Sequence, residues 1–263
     1  MKRKKKNLNF YIGLVITGIM LLMILVGLFY TPYNPEAMDS TLKNAGVSLA
    51  HPFGCDNFGR DILSRVMVGS RTTVLVGLAT VVIGTFFGII IGAFTGYFGG
   101  MADEILMRIM DALLAFPSIL LALVIIGLFA PSTWNLIMAL GIAFVPSFAR
   151  IVRSEFLRCK NMDYVTAAKL NGAKNLRVMF VHILPNTIKV LSSSVLIGFN
   201  NAVLAEAGMS FLGIGVMPPD PSLGRMMSEA QSYIFSNPGF AIFPGIVLIL
   251  IILGISLIGS YLE

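Results

Sequence analysis

The chain has 263 residues, 56% of them hydrophobic and 12% charged, with a mean hydropathy of +0.86 and a net charge of +6. Soluble domains carry about 45–50% apolar and about 25% charged residues, so an ordinary soluble enzyme is excluded and a multi-spanning membrane protein is expected. The basic balance does not describe a nucleic-acid binder, because Lys and Arg flank apolar runs and form no solvated domain of their own.

Lys2, Arg3, Lys4, Lys5 and Lys6 precede Phe10–Tyr30, which is apolar throughout. At ~1.5 Å per residue this run reaches across a bilayer core of ~30 Å. It exceeds the ~7–15 apolar residues of a signal peptide and no small-x-small cleavage site follows, so a retained first span is expected, with its N-terminus in the cytoplasm. Residues 31–71 are punctuated by Pro32, Pro35, Gly46, Pro52, Gly54 and Gly59. They read as an extracytoplasmic loop with a short amphipathic helix near Arg60–Gly69, on which Asp56, Arg60, Asp61 and Arg65 form ion pairs on a solvated face. The domains are then 1–30 (basic tail and first span), 31–71 (outer loop) and 72–263 (a core of five spans with a cytoplasmic loop at 153–187).

The second span is expected at Thr73–Phe98. Gly84, Gly88, Gly92, Gly96 and Gly100 recur every fourth residue from within it. Glycine costs a helix about 1 kcal/mol against alanine. Such a row is expected to form a packing seam, where small residues let helix backbones approach closely in lipid. Gly77 lies off the row and is expected to matter less. Gly99–Asp111, with Asp103, Glu104, Arg108 and Asp111, reads as an inner loop. Ala112–Ala130 is the expected third span, with Pro117 near its start, and Pro131–Trp134 a tight outer turn with Trp134 as an interface anchor. The fourth span runs from Asn135 to Phe148, extending to Val152, with Pro146 inside it.

Asp163–Asn186 is a long polar passage between two apolar runs. Asp163 is placed to cap a helix. Tyr164, Val165, Ala168 and Leu170 give that helix an apolar side, and Gly172 stands where a helix stops in the left-handed region. A second short helix fits Asn175–Ile183, with Leu176, Met179, Phe180 and Ile183 at helical spacing. Pro185 is expected to end it, with Leu184 pushed from helical angles. The fifth span, Ile188–Phe211, contains Asn200, Asn201 and Glu206. A carboxylate inside a span is a functional-site candidate. Glu206 either lines a pathway or, about five residues from the outer end, reaches water. Residues 213–240 form an outer loop and Ala241–Ser260 the sixth span. On this topology Lys2–Lys6, Arg108 and the cluster from Arg150 to Lys189 are inside, while Lys43, Arg60, Arg65, Arg71 and Arg225 are outside. That bias places both termini in the cytoplasm.

Ala167-Ala168, Gly172 and Leu184-Pro185 resemble the EAA loop of membrane subunits of ATP-driven (ABC) importers: Glu-Ala-Ala, three residues, Gly, nine residues, Ile, one residue, Leu-Pro. Thr166 stands for the Glu and His182 for the Ile. His182-Ile-Leu-Pro-Asn186 is similar to the peptide/nickel branch. So are Ser210–Ser222 and the passage His51–Arg65, in which Cys55 replaces the usual Thr of C-type permeases. At the end, Gly259-Ser-Tyr-Leu-Glu263 stands where family members usually continue as Gly-Asp-x-Leu-Arg. The resemblance covers about residues 45–260. It implies an all-α, type I importer permease of about six spans in a bacterial cell membrane. It also implies that Asp163, Tyr164, Thr166, Ala167, Ala168, Gly172, Leu184 and Pro185 form the loop that docks on an ATPase. The implied partners are a second homologous permease, two ATP-binding subunits, an extracytoplasmic substrate-binding protein and membrane lipid. Asn200, Asn201 and Glu206 are the candidate pathway residues, and Gly84, Gly88, Gly92 and Gly96 the packing seam.

No phosphate-cradling Gly-x-x-x-x-Gly-Lys-Ser/Thr, no Gly-x-Ser-x-Gly and no His-Glu-x-x-His is present, so ATP hydrolysis is expected on a partner and no chemistry on this chain. Cys55 and Cys159 fall on opposite membrane faces, and His51 and His182 are the only histidines; no disulfide, metal site or cofactor is expected. The resemblance leaves the substrate between short peptides and, as the alternative, nickel or another metal carried as a chelate. A secondary transporter is the more distant alternative, which the single deep carboxylate disfavours.

Overall fold

The computed structural model describes residues 2–129 and 132–262. The expected end of the third span at Ala130, the first residue of the turn at Pro131 and the terminal Glu263 lie outside them. Among the described residues the fold is helical; extended pairing is confined to one antiparallel bridge between Cys55 and Asp61. In chain order the helices are α1 (Lys2–Phe29), α2 (Ile62–Phe98), α3 (Gly100–Leu114), α4 (Ser118–Gly127), α5 (Thr133–Cys159) and α6 (Asp163–Leu170). Then follow α7 (Asn175–Arg177), a π-helical stretch (Val178–Ile183), α8 (Leu184–Phe211), α9 (Leu223–Ala230) and α10 (Gly239–Leu262). Five helical stretches are long and apolar enough to cross a membrane, and α3 with α4, bent by 92° at their junction, makes up a sixth, broken one.

The most extensive contact in the molecule is α2 on α5, and the glycine row lies in it. A Cβ added at Gly84 would stand 3.0 Å from Phe144 Cβ, at Gly88 2.5 Å from Phe148 Cβ, at Gly92 2.8 Å from Val152 Cβ and at Gly96 2.7 Å from Phe156 Cβ. Four turns of α2 therefore lie backbone-close to α5 within one chain. Gly100 is outside the seam, in the left-handed region at φ +66° beside Gly99 at +67°, where the chain reverses from α2 into α3. Gly77 differs from expectation. A Cβ there would lie 2.7 Å from Val203 Cγ2, so this glycine is the close-contact point of α2 with α8 rather than a neutral site. A second crossing, Gly13 against Leu257 and Gly254 against Thr17, seats α1 on α10.

Several boundaries differ from the sequence expectation. α2 starts at Ile62 and runs 37 residues, about 55 Å. The short helix expected near Arg60–Gly69 is simply its first turns, because nothing between Ile62 and Thr73 forces a break. Asp61 caps it, accepting from Ser64 N–H at 2.7 Å. The expected inner loop Gly99–Asp111 is helix α3. Its charges mark not a loop but the face turned to α5, where Asp103 pairs with Arg153 and Asp111 with Arg150. The third span is broken at Ala115–Pro117, since Pro117 lacks a donor and restricts Phe116 before it.

At the other proline the opposite happens. Leu184 is helical (φ −53°, ψ −43°) and Pro185 opens α8 instead of ending a helix. The preceding π-helical stretch loosens the backbone there, Leu184 N–H bonding back to Met179 C=O and the Asn186 side chain donating to His182 C=O at 2.7 Å. A proline in the first turn of a helix then costs nothing in lost hydrogen bonds.

Candidate functional site

The α6–α7 passage is rooted at one end of the bundle by its own small apolar core. Val165, Val178, Met179 and Ile183 are buried with Ala93 of α2 and Val152, Phe156 and Cys159 of α5. Asp163 is the first residue of α6, not its cap: Met162 takes the capping position without a side-chain bond, and Asp163 contributes negative charge to the first turn. α6 ends in a Schellman motif. Gly172 N–H bonds to Lys169 C=O and Ala173 N–H to Ala168 C=O, both at 3.0 Å, with Gly172 at φ +79°. The motif turns the chain between α6 and α7 within four residues.

What this root leaves outward is mixed, with Lys169, Asn171, Lys174 and Arg177 exposed around two apolar side chains. Thr166 and Ala167 are exposed, Leu170 is 84% exposed, and Leu176 67%. Of the apolar positions read from spacing, Val165, Met179 and Ile183 face in, while Leu170, Leu176 and Phe180 face out. Tyr164 is half-buried, and burial raises its phenol above the ordinary range. Leu184 is half-buried and Pro185 exposed. One residue the sequence did not single out also holds this loop. Tyr97, at the end of α2, donates its hydroxyl to Asn175 Oδ1 at 3.0 Å and lies under the Lys169 ammonium at 5.2 Å. An aromatic at the end of a long apolar run was the available signal.

Halfway along the bundle the structure separates the pathway candidates. Asn201 is exposed and lines, with Ser118 of α4, Phe144 and Ser147 of α5 and Leu204 of α8, a cleft of about 220 Å³. Asn200 lies in a different cleft between α8 and α10, its Oδ1 buried without a hydrogen-bond partner among the described residues. Glu206 is 0% exposed. It neither reaches water nor faces an open cleft of this chain, because α9 folds back over α8 so closely that a Cβ on Gly224 would meet Ala207 Cα at 2.6 Å. Its Oε1 accepts from Ser210 Oγ at 2.6 Å, and the hydroxyls of Thr73 and Ser222 also bear on the carboxyl. Ser210 Oγ accepts from Val216 N–H and Thr73 Oγ1 from Leu223 N–H, so this cluster ties α2, α8 and the approach to α9 together.

The passage His51–Arg65 is not a solvated helical face. Asp56, Asp61 and Arg65 are buried and Arg60 is 9% exposed. Asp56 Oδ1 accepts from the backbone N–H groups of Phe58 and Arg60, and its Oδ2 pairs with Arg60 Nε at 2.6 Å. Glu229 of α9 completes the group, accepting from Arg60 and Arg65 at 3.1 and 3.2 Å on one oxygen and from Arg225 at 3.1 Å on the other. Asp61 also accepts from, or pairs with, His51 Nδ1 at 2.9 Å. Asn237 donates to Cys55 C=O at 2.8 Å. Gly59, at φ +79°, packs directly on the Asp39 backbone. The partners Arg225 and Glu229 were not legible, since they lie more than 150 residues away in sequence. Cys55 is fully buried here, and burial together with the neighbouring Asp61 and Asp56 pushes its thiol up to about 11.

Comparison with known proteins bears on both ends of this arrangement. The family model described as the inner membrane component of binding-protein-dependent transport systems matches residues 84–263. The chain is 40% identical over 265 residues to the dipeptide transport system permease protein DppC of Escherichia coli K12, covering 98% of this chain and 88% of that protein. It is 37% identical over 262 residues to DppC of Alkalihalophilus pseudofirmus, covering 100% and 86%. It is 39% identical to a putative peptide transport system permease protein of Brucella abortus, covering 100% and 88%. Its fold is similar to a chain of the MetNI methionine ABC transporter in inward-facing conformations, with a TM-score of 0.58 and 20% identity over 73% of this chain and 93% of that one. The chain belongs to the family of inner membrane components of binding-protein-dependent transport systems.

Proposed function

We propose that this permease serves a peptide importer, forming with a second, homologous permease the pore through which di- and oligopeptides cross. Substrate arrives on an extracytoplasmic binding protein, and two ATP-binding subunits drive the cycle from the cytoplasmic side, where both termini also lie. The names of the similar dipeptide and peptide permeases support the substrate class. The excess of Lys and Arg around α5–α7 supports the orientation.

The observation that carries the reading is the α6–Gly172–α7 passage. It is rooted by buried Val165, Val178 and Ile183, yet presents Leu170 and Leu176 outward on a turn locked by Gly172. Two exposed leucines among the basic side chains of Lys169, Lys174 and Arg177 suit a groove on a partner subunit. α6 follows α5 by a three-residue turn, and α5 is tied to α3 through Arg153–Asp103 and Arg150–Asp111. A displacement of the docked loop therefore moves α5 and α3 together, and with α3 the break leading into α4, whose Ser118 lines the Asn201 cleft. That is a rigid-body switch of the kind that alternates access. Asn201 and Ser147 offer hydrogen-bonding groups to a passing peptide backbone. Glu206 holds the α9 cap in place.

The test is Gly172→Val. The left-handed backbone at φ +79° makes a β-branched side chain cost about 1–2 kcal/mol, while the space around it is open. The protein is expected to insert and assemble, with ATPase retention on purification reduced and uptake in vesicles lost. Thr166→Ala is expected to be mild. Wild-type uptake by Gly172→Val with its ATPase bound would remove this loop as the coupling element.

A further inference from the structure

A groove of about 550 Å³ opens between the early turns of α2 and the start of α5, at the α9 end of the bundle. Its rim carries Arg71, Thr72, Thr133, Trp134 and Asp220. Further along α2 the walls become Leu75, Val76 and Ala79, faced by Ile137 of α5. From Arg71 to Ala79 the groove follows α2 for about 12 Å.

Three features of this groove point the same way. Arg71 and Asp220 line it together, but neither forms an ion pair among the described residues. Arg60, Arg65 and Arg225, at the same end of the molecule, are each paired. The groove thus offers one unengaged positive and one unengaged negative group at its rim. Next, Arg71 is the last charged residue of α2 before the apolar run that begins at Thr73, and Trp134, 74% exposed, stands beside it. A charged residue and an indole at the edge of an apolar span mark the headgroup level of a bilayer. Last, the apolar wall does not close. Leu75, Leu78 and Val82 are each at least half exposed and carry the apolar surface on down α2. A cleft for a wholly polar ligand has no use for that continuation, whereas an acyl chain does.

We propose that this groove binds a phospholipid with a zwitterionic, primary-amine headgroup, of the phosphatidylethanolamine type. Arg71 takes the phosphate, for which a guanidinium is geometrically suited. Asp220 accepts from the ammonium, Trp134 covers the ester region, and one acyl chain runs along Leu75, Val76 and Ala79. The site goes beyond the peptide-permease reading and does not depend on it; on the orientation proposed above, it lies in the extracytoplasmic leaflet.

The experiment uses the assembled, delipidated transporter complex, titrated separately with dioleoylphosphatidylethanolamine, dioleoylphosphatidylcholine, dioleoylphosphatidylglycerol and alanyl-alanine. Retained lipid is read by native mass spectrometry. The ethanolamine lipid is expected to be held about fivefold more tightly than either other lipid, the worth of roughly one net hydrogen bond from its ammonium to Asp220. Asp220→Asn is expected to abolish that preference, and Arg71→Gln, which removes the contact to the phosphate that the three lipids share, to weaken retention of all three. Ala79→Phe, which fills the acyl path and leaves the rim untouched, is expected to lose retention of all three lipids. Equal retention of the three lipids by the wild-type complex would overturn the proposal, as would, in whichever of the two rim variants assembles, an undiminished preference in Asp220→Asn or undiminished lipid retention in Arg71→Gln. Displacement of bound lipid by alanyl-alanine would overturn it too, assigning the groove to substrate.

Discussion

Of the charged side chains at the α9 end a paired group is interior: Asp56, Asp61 and Arg65 are buried, and the ion pairs of Arg60 and Arg65 reach across the chain to Glu229. At the α6 end they are on the surface, with Arg108–Glu104 and Arg150–Asp111 more than half exposed. The two ends also differ in how they are shaped. The α6 passage is made from local parts, a Schellman turn and a few apolar side chains. The α9 end is made from contacts between remote segments, with Asn237 on Cys55, Thr73 on Leu223 and Glu229 on Arg60. An exposed pair contributes about 0–1 kcal/mol. Breaking a buried one leaves an uncompensated charge and costs about 3–5 kcal/mol. The α9 end is therefore a cap that tolerates little change, and the α6 end a projection whose surface is free to be shaped by what docks on it.

The sharpest way to break this contrast is Arg65→Ala. It strips Glu229 and Asp56 of a buried partner and is expected to cost about 3–5 kcal/mol. Thermal unfolding of the purified complex in detergent reads this as a large drop in midpoint or a failure to assemble; a midpoint near wild type would mean that the buried network does not hold the cap.

Next in size are the glycine contacts between spans. Gly88→Leu and Gly92→Leu overpack the α2–α5 seam, and Gly77→Leu the α2–α8 contact, each by about 1–3 kcal/mol or more. The amount of assembled complex recovered from membranes is expected to fall for all three. Gly18→Leu is the control, since a Cβ there meets nothing within 4 Å. Equal yields for the four variants would sink the close-packing account.

Cysteine labelling sharpens the comparison by giving each end a side. The native thiols are unsuitable probes: Cys55 and Cys159 are both buried. With the Cys55 thiol pushed up to about 11, about one molecule in a thousand carries the reactive thiolate at pH 8. Wild-type protein on intact cells is therefore expected to stay unlabelled by an impermeant maleimide. Leu49→Cys, at a fully exposed position of the α9 end, is expected to label, and Leu170→Cys, at the tip of the α6 end, to be spared. The reverse pattern would invert the orientation.

The smallest effect is expected from Arg108→Ala. Its pair with Glu104 is 78% and 64% exposed, so the unfolding midpoint should move by no more than about 0.5 kcal/mol's worth. A loss comparable to that of Arg65→Ala would erase the distinction between the two ends.

Much of the α6 end was legible because its determinants are local. Gly172 announces a left-handed turn by its position after an amphipathic stretch, and the structure has it at φ +79°. The glycine row was legible as a seam for the same reason: a four-residue period puts one face of one helix in line. What it packed on was not legible, since periodicity says nothing about the partner. Pro185 misled because a proline reads as a stop, and only the π-helical turn before it shows that the helix resumes. The charges of α3 misled because a charged stretch between spans reads as loop until the arginines of α5 are seen opposite it. At the α9 end, Asp56, Arg60 and Arg65 were visible in the sequence, but their burial was not; it depends on Glu229, far along the chain, folding over them.

By itself the sequence determined that the protein crosses a membrane several times as helices, where its long apolar runs lie, and where the loop that turns on Gly172 sits. These follow from hydropathy, backbone conformational preference and helical period, which act within a few turns of chain. Only the tertiary structure decided that α2 runs unbroken from Ile62, that Glu206 is sealed beneath α9, and that Asn200 and Asn201 face different clefts. It also decided that Arg71 and Asp220 share a groove. In each case the outcome depends on which remote backbone comes within contact distance, and packing free energy between segments a hundred or more residues apart carries no signature in the local order of side chains.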